Sequence, residues 1–328
     1  MNNLFVVCFA WLASVGTGLG QHYRLHPELQ TDSSYNVARE FTKHHKKYPD
    51  IEIVKAVPSA EVLVDSNLVY RSLGERMLHL DLIRPSRYRK KRLPVVLMVH
   101  GGGWRSGDKS MQWPLAFRLA KEGFACIPIE YRLSTEAQYP ASITDLKSAI
   151  AWVRTVSKQY HLDPDRVALL GCSSGGQMVS LVGSSNAAIE KFEPKELPKT
   201  DTRVKAVVDI DGVLAFIHPD SGEGIDAPTK PSAATLWFGK PTAADSSSRI
   251  EASALTYAGE QSANFLILCS SQPRFHAAYK EMIAALEAKG KHGSAYELSN
   301  TPHTFWLFQP WFEEMVGQIV PFLRKELQ

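Results

Sequence analysis

Val167-Ala168-Leu169-Leu170-Gly171-Cys172-Ser173-Ser174-Gly175-Gly176-Gln177-Met178-Val179 is the stretch that decides the fold. Its first four residues form an apolar run of the kind found in strands buried on both faces. From Gly175 onward the residues suit a helix. Between the two lies the pentapeptide Gly171-x-Ser173-x-Gly175. Glycines on both sides of the serine permit a sharp, strained turn from strand to helix, which lifts the hydroxyl above the end of a sheet. The bare pentapeptide is common by chance, but its placement at a strand-to-helix junction is not. Ser173 is therefore the candidate nucleophile, weighed against a purely structural glycine turn.

Outward from that turn the pattern repeats. Residues 93–100 and 125–131 read as buried strands, 115–121 as a helix closed by Gly123, and 143–160 as a helix with apolar positions at Ile143, Leu146, Ile150 and Val153. Residues 62–70 and 77–84 read as a strand pair joined through Ser72 and Gly74. On the other side, 204–210, 265–269 and 295–298 read as strands, with helices over 275–289 and 311–327. This alternation predicts an α/β fold with a mostly parallel central sheet and helices on both faces. Ligands of such sheets bind at the carboxyl ends of the strands. Residues 212–260, rich in Pro, Ser, Ala and Gly, interrupt the alternation and read as a cap or long loop over that end. The expected domain is 59–328, preceded by a polar N-terminal arm over 21–58.

His100-Gly101-Gly102-Gly103-Trp104 follows the strand 93–99. Glycines there let the backbone approach a substrate and turn amide groups toward a developing negative oxygen. Gly102 and Gly103, with the Ser174 amide just after the nucleophile, are the candidate oxyanion-binding groups. A general base belongs after the last strand, and His303 in Asn300-Thr301-Pro302-His303-Thr304-Phe305 has that place. His218 and His276 are its competitors.

Several segments resemble the bacterial acetyl esterase/lipase group of the α/β-hydrolase superfamily. They are residues 100–104, Ser106-Gly107-Asp108-Lys109, Tyr131-Arg132-Leu133, Tyr139-Pro140-Ala141, Asp145, the 163–166 turn and Ser173 to Gly176. Acetyl-xylan and feruloyl esterases are similar, and the resemblance covers about residues 60–325. It implies the α/β-hydrolase fold and a serine esterase acting on small acyl esters, acetyl above all. Ser270 to His276, with Phe305 to Phe308, resembles a branch found beside pectin- and hemicellulose-degrading enzymes, which implies esters of plant cell-wall polysaccharide. A serine peptidase uses the same machinery, and a non-catalytic binding module on a degraded hydrolase fold is a third reading.

The chain departs from the pattern in one place. Such proteins carry the triad acid after the strand equivalent to 265–269, where this chain has Ser270-Ser271-Gln272-Pro273-Arg274 and no carboxylate before Glu281. The histidine needs an acid to hold its tautomer and stabilise its charged form. Asp211, one strand earlier, is the first candidate; Asp209, a carboxylate within 220–226, and a dyad with no acid follow. Arg274 and His276, standing where the acid is missing, are candidates for binding a polar or anionic substrate group, against a surface salt link. Trp104, on the candidate oxyanion loop, and Trp306, just after His303, are candidate sugar-stacking aromatics, with core packing as the alternative for those after His303.

Bulk properties set the remaining bounds. A net charge of +3 over 328 residues, with only the short basic clusters 43–47 and 87–92, both set among polar residues, gives no case for nucleic acid. Residues 1–20, with an apolar run at 4–15 and Thr17-Gly18-Leu19-Gly20 after it, read as a signal peptide, so a secreted or periplasmic protein is expected. No segment is long and apolar enough to predict a membrane span. Of four cysteines, Cys8 falls in the signal; Cys126, Cys172 and Cys269 read as buried thiols. No Cys/His spacing suggests a metal, and no cofactor is called for. The expected partner is a polysaccharide or oligosaccharide ester, and the sequence carries no mark of oligomeric state.

Overall fold

The structure is a computed structural model and describes residues 32–87, 92–197 and 200–328. The signal peptide expected over 1–20, and the first part of the arm, lie outside the described residues. In chain order the elements are α1 (Val37–His45), β1 (Glu52–Ile53), β2 (Val62–Leu73), β3 (Arg76–Pro85), β4 (Leu93–Val99), α2 (Trp113–Lys121), β5 (Ala125–Ile129), α3 (Ala141–Tyr160), β6 (Leu162–Cys172), α4 (Ser174–Ser185) and β7 (Ala206–Ile210). There follow α5 (Ala233–Phe238), α6 (Ser246–Glu251), β8 (Asn264–Cys269), α7 (Tyr279–Glu287), β9 (Gly293–Glu297), β10 (Phe308–Gln309) and α8 (Trp311–Glu326).

Eight strands form one sheet in the order β2-β3-β5-β4-β6-β7-β8-β9. The β2–β3 and β3–β5 pairs are antiparallel, and every pair from β5 to β9 is parallel. The parallel strands are apolar without alternation because both faces are covered. Val95, Leu97 and Val99 of β4 enter one core with α3, α4 and α7, while Val96 and Met98 enter a second core with α2 and α8. This is the mostly parallel, doubly covered sheet expected from the alternation.

Two boundaries differ from the sequence reading by four residues or more. Strand β6 starts at Leu162, five residues before the apolar run, because Leu162 pairs with Leu93 across a register shift. Its polar turn residues hid this start. Helix α7 starts at Tyr279, since Pro273–Phe275 form a separate 3-10 turn and Ala278 takes a left-handed φ of 69°.

Buried ion pairs secure the loops near the site. Asp81, fully buried, accepts from Lys109 Nζ at 2.6 Å and Trp113 Nε1 at 2.9 Å. Asp145 holds Arg132 and Arg71. The arm is laid on the domain as α1, capped by the Asn36 side chain, and as β1, which pairs antiparallel with β10. Residues 212–260 carry α5, α6 and 3-10 turns, and α5 packs Trp237 and Phe238 against Phe216. Cys126, Cys172 and Cys269 are buried and free. Among the described residues no helix is long and apolar enough to cross a membrane.

Candidate active site

Ser173 stands between β6 and α4 with φ 55° and ψ −120°, a strained conformation for a non-glycine residue. Its flanking glycines are required by space. A Cβ on Gly171 would lie 2.2 Å from the Gly175 carbonyl oxygen, and one on Gly175 would lie 2.3 Å from that of Val99. The elbow is therefore wedged between the ends of β4 and β7, and the Ser173 amide donates to the Ile210 carbonyl at 2.8 Å.

The structure brings Ser173, His303 and Asp211 together. His303 Nε2 lies 2.8 Å from Ser173 Oγ, and His303 Nδ1 lies 2.6 Å from Asp211 Oδ2. The loop after β9 carries the histidine, and the residue just past β7 carries the acid. Asp211 takes a left-handed φ of 56°, which turns its side chain off the strand end. Burial works to raise its carboxyl, but the bonds from His276 and His303 outweigh burial and hold it below the ordinary carboxylate value. Asp209 faces the other way. It accepts from Ser180 Oγ of α4 at 2.6 Å and from the Gly212 amide at 2.8 Å. Burial pushes its carboxyl up to about 8 in spite of those bonds.

The glycine loop borders the elbow. A Cβ on Gly101 would sit 3.1 Å from that of Ser173, so only a glycine allows this approach. Gly102, Gly103 and Trp104 have φ of 125°, 61° and 56°, a run of left-handed turns. The Gly102 carbonyl is held by the Arg105 and Ser106 amides at 3.1 and 3.0 Å. Ser174 is the first residue of α4, where an amide has no acceptor inside the helix.

Three expected substrate contacts, Trp104, His276 and Trp306, are corrected, since each side chain is buried. Trp104 is 2% exposed, stacks on Trp237 with centroids 4.8 Å apart, and donates from Nε1 to Gln177 at 3.0 Å. Its indole packs under the cap, where α5 covers its apolar area and Gln177 satisfies its N–H. His276 is also buried, and its Nδ1 lies 2.7 Å from Asp211 Oδ1. It stands against the acid and not against solvent, because the 3-10 turn before it directs the ring inward.

Arg274 remains exposed, its guanidinium 3.9 Å from the Phe275 ring centroid. It makes no ion pair within 4.0 Å among the described residues. Trp306 is buried and meets the His303 ring edge-on at 5.2 Å. Of the 220–226 carboxylates, Glu223 is half-buried, and burial raises its carboxyl against the pull of Arg274 and His303. His218 pairs instead with Glu281 at 3.5 Å. Phe305, Phe308, Trp311 and Phe312 belong to the core beneath α8.

Three neighbours of the site escaped the sequence reading. Phe275 stacks flat on the His303 imidazole, with centroids 3.4 Å apart. From the arm, the Tyr35 ring lies 3.2 Å from where a Gly102 Cβ would be. Also from the arm, Glu40 accepts from Thr304 Oγ1 at 3.0 Å, one residue past His303. Tyr35, Gln112, Met111, Trp306 and Phe312 help to line a cavity of about 190 Å³ beside the loop. No periodicity or motif marks contacts between an N-terminal arm and a C-terminal loop.

A serine on a strand-to-helix elbow, an acid one strand on and a histidine after the last strand, all on a doubly covered parallel sheet, define the α/β-hydrolase class. A family model described as BD-FAE matches residues 80–275, and the chain belongs to that family. The matched span holds Ser173 and Asp211 and ends before His303. Over 243 residues the chain is 30% identical to the probable carboxylic ester hydrolase LipM of Mycobacterium tuberculosis, covering 73% of this chain and 53% of LipM. It is 37% identical over 135 residues to esterase LipC of the same organism, covering 40% of this chain and 33% of LipC. The chain thus spans about half or less of these curated relatives. Among solved structures it resembles a bifunctional GH43-CE protein of Bacteroides eggerthii, with TM-score 0.69, 22% identity and coverage of 81% of this chain and 38% of the other. A truncated carbohydrate esterase from gut microbiota superposes with TM-score 0.68 at 22% identity, over 82% of this chain and 98% of the other. At that identity the likeness is one of fold.

Proposed function

We propose that this protein is a secreted or periplasmic serine esterase that removes small acyl groups, acetyl above all, from plant cell-wall polysaccharide or its oligosaccharides. The observation that carries the reading is the unbroken relay from Ser173 Oγ to His303 Nε2 at 2.8 Å and from His303 Nδ1 to Asp211 at 2.6 Å. In the proposed reaction Ser173 Oγ attacks the acyl carbonyl while His303 Nε2 takes its proton. Asp211 stabilises the imidazolium so formed. The negative oxygen of the tetrahedral intermediate is met by the Gly102, Gly103 and Ser174 amides. On collapse, His303 returns the proton to the leaving sugar hydroxyl. Water then repeats the sequence and frees the acid.

The substrate class has two supports. The relatives LipM and LipC bear ester-hydrolase names, and of the structures of like fold one bears a carbohydrate-esterase title and another a GH43-CE title. The leaving group must also lie beside His303, where Arg274 and Glu223 offer a fork of donors and a carboxylate to sugar hydroxyls. The absent acid was the support for a non-catalytic module, and Asp211 in contact with His303 takes that support away.

The test is acetate release from acetylated pectin, xylan and mannan, beside p-nitrophenyl acetate and an aminoacyl-anilide. Ester turnover without anilide turnover is expected, and the reverse would make the protein a peptidase. Better kcat/KM for the p-nitrophenyl octanoate ester than for the acetate would overturn the short acyl preference. Ser173→Ala should lose on the order of 10⁴-fold or more in kcat while still folding. Mass spectrometry of protein from the native host should find a terminus near Gln21; an intact Met1 would overturn export.

A further inference from the structure

We infer that His276 is a positioning residue of the triad: its ring holds the Asp211 carboxylate and thereby sets how readily His303 takes the Ser173 proton. The inference rests on the Ser173–His303–Asp211 relay proposed above. Asp211 is buried and its carboxylate accepts three bonds. Oδ1 takes His276 Nδ1 at 2.7 Å and the Ser270 amide at 3.0 Å, while Oδ2 takes His303 Nδ1 at 2.6 Å. Two donors on Oδ1 fix the rotation of the carboxylate, so that Oδ2 stays in line with His303. An ionised carboxylate only accepts, so both imidazoles donate from Nδ1. For His303 that tautomer leaves the Nε2 lone pair toward Ser173.

The backbone that carries His276 is itself held. Its amide donates to the Pro273 carbonyl, its carbonyl accepts from the Tyr279 amide, and the Leu214 amide donates to the Ala277 carbonyl. Three elements, the β8 loop, α7 and the start of the cap, thus fix the main chain at His276 and Ala277, from which the imidazole projects to Asp211. A side chain present only to fill space would need no donor on an oxygen that already accepts a backbone amide. The titratable groups facing His276 are Asp211 and Tyr279, whose ring meets it edge-on at 5.3 Å. His303 faces Asp211 and has Glu223 and His44 within electrostatic reach. Asp211 also feels Asp209, Cys172 and Cys269.

The sign of the effect is the same for a neutral or a charged His276. Either form draws negative charge toward Oδ1. Without it, more charge rests on Oδ2, and His303 binds its proton more tightly.

The experiment compares His276→Phe, His276→Asn and His276→Gln in the full chain. The Asn amide nitrogen falls near the place of Nδ1, whereas the Gln amide reaches the place of Nε2. One readout is proton NMR of the His303 ring across pH, which needs no turnover; the other is the pH profile of p-nitrophenyl acetate hydrolysis. His276→Phe should move the His303 midpoint and the acid limb of kcat/KM up by about 0.5–1 pH unit. It should lower kcat about tenfold or more, with KM within about twofold. His276→Asn should restore most of both, and His276→Gln should not. An unshifted His303 midpoint in folded His276→Phe, or Asn performing no better than Gln, would overturn the inference. If His276→Phe does not fold, the Asn–Gln contrast decides alone. A wild-type protein that turns over no ester would sink the esterase reading, and the NMR titration would still judge His276.

Discussion

The Phe275 ring lies flat on the His303 imidazole, its centroid 3.4 Å away and its plane 11° from parallel. On one side it carries the Arg274 guanidinium at 3.9 Å, so a cation, an aromatic ring and the base are stacked in series. Stacking of this kind fixes the tilt of a ring that must keep both nitrogens in line. Phe275→Ala should therefore lower kcat for p-nitrophenyl acetate by about tenfold, with KM little changed, and Phe275→Tyr should keep most activity. Steady-state kinetics decide; an Ala variant at wild-type kcat would show that Asp211 alone orients the imidazole.

Asp211 and Asp209 sit two residues apart in opposite roles. Asp211→Asn should cut kcat on the order of 10⁴-fold, because the amide favours the wrong histidine tautomer. Its KM for a small ester should hold. Asp209→Asn should retain most activity, and the reverse pattern would exchange the two roles.

Asp209 also gives a pH signature in stability. Its carboxyl sits near 8 in the fold against 3.8 for the ordinary group. Between those values the folded protein keeps a proton that the unfolded chain has lost, so this residue's contribution to stability declines as pH rises through the window. Asp209→Asn removes the titration. The Tm difference between variant and wild type should thus move in the variant's favour from pH 5 to pH 8. Parallel melting curves across that range would show that Asp209 is ionised throughout.

Lys109 and Asp81 tie the loop after the glycine turn to β3, both of them buried. Lys109→Met would leave the Asp81 charge without its cation. Such a loss costs about 3–5 kcal/mol. Denaturant unfolding should show it as a fall in midpoint, and a cost under about 1 kcal/mol would mean that Trp113 and the Asn67 amide suffice for Asp81.

Glu40 of α1 offers a test of the arm. It accepts from Thr304 Oγ1 at 3.0 Å and lies 3.2 Å from His44 Nε2. Glu40→Ala should loosen the His303 loop and reduce kcat several-fold, and Thr304→Val should do the same through the same bond. Kinetics of the two single variants and the double variant check this. Additive effects would place the two residues in separate roles.

The alternating apolar runs, the elbow pentapeptide and the glycine loop are local features, and the sequence by itself determined the sheet, the Ser173 turn and the chain order of nucleophile and base. Each rests on residues adjacent in the chain, whose backbone demands can be read without knowing what lies opposite. Asp211 was among the named acids for the same reason, as the carboxylate at a strand end. Only the tertiary structure separated it from Asp209, because the left-handed turn at Asp211 swings one side chain toward the β8 and β9 loops while the other points at α4. His276, Phe275, Trp104 and Glu40 depended on packing between segments far apart in sequence. A histidine or indole looks the same in a sequence whether its ring turns to solvent or inward, and the partner that satisfies its buried N–H is supplied only when the chain closes on itself.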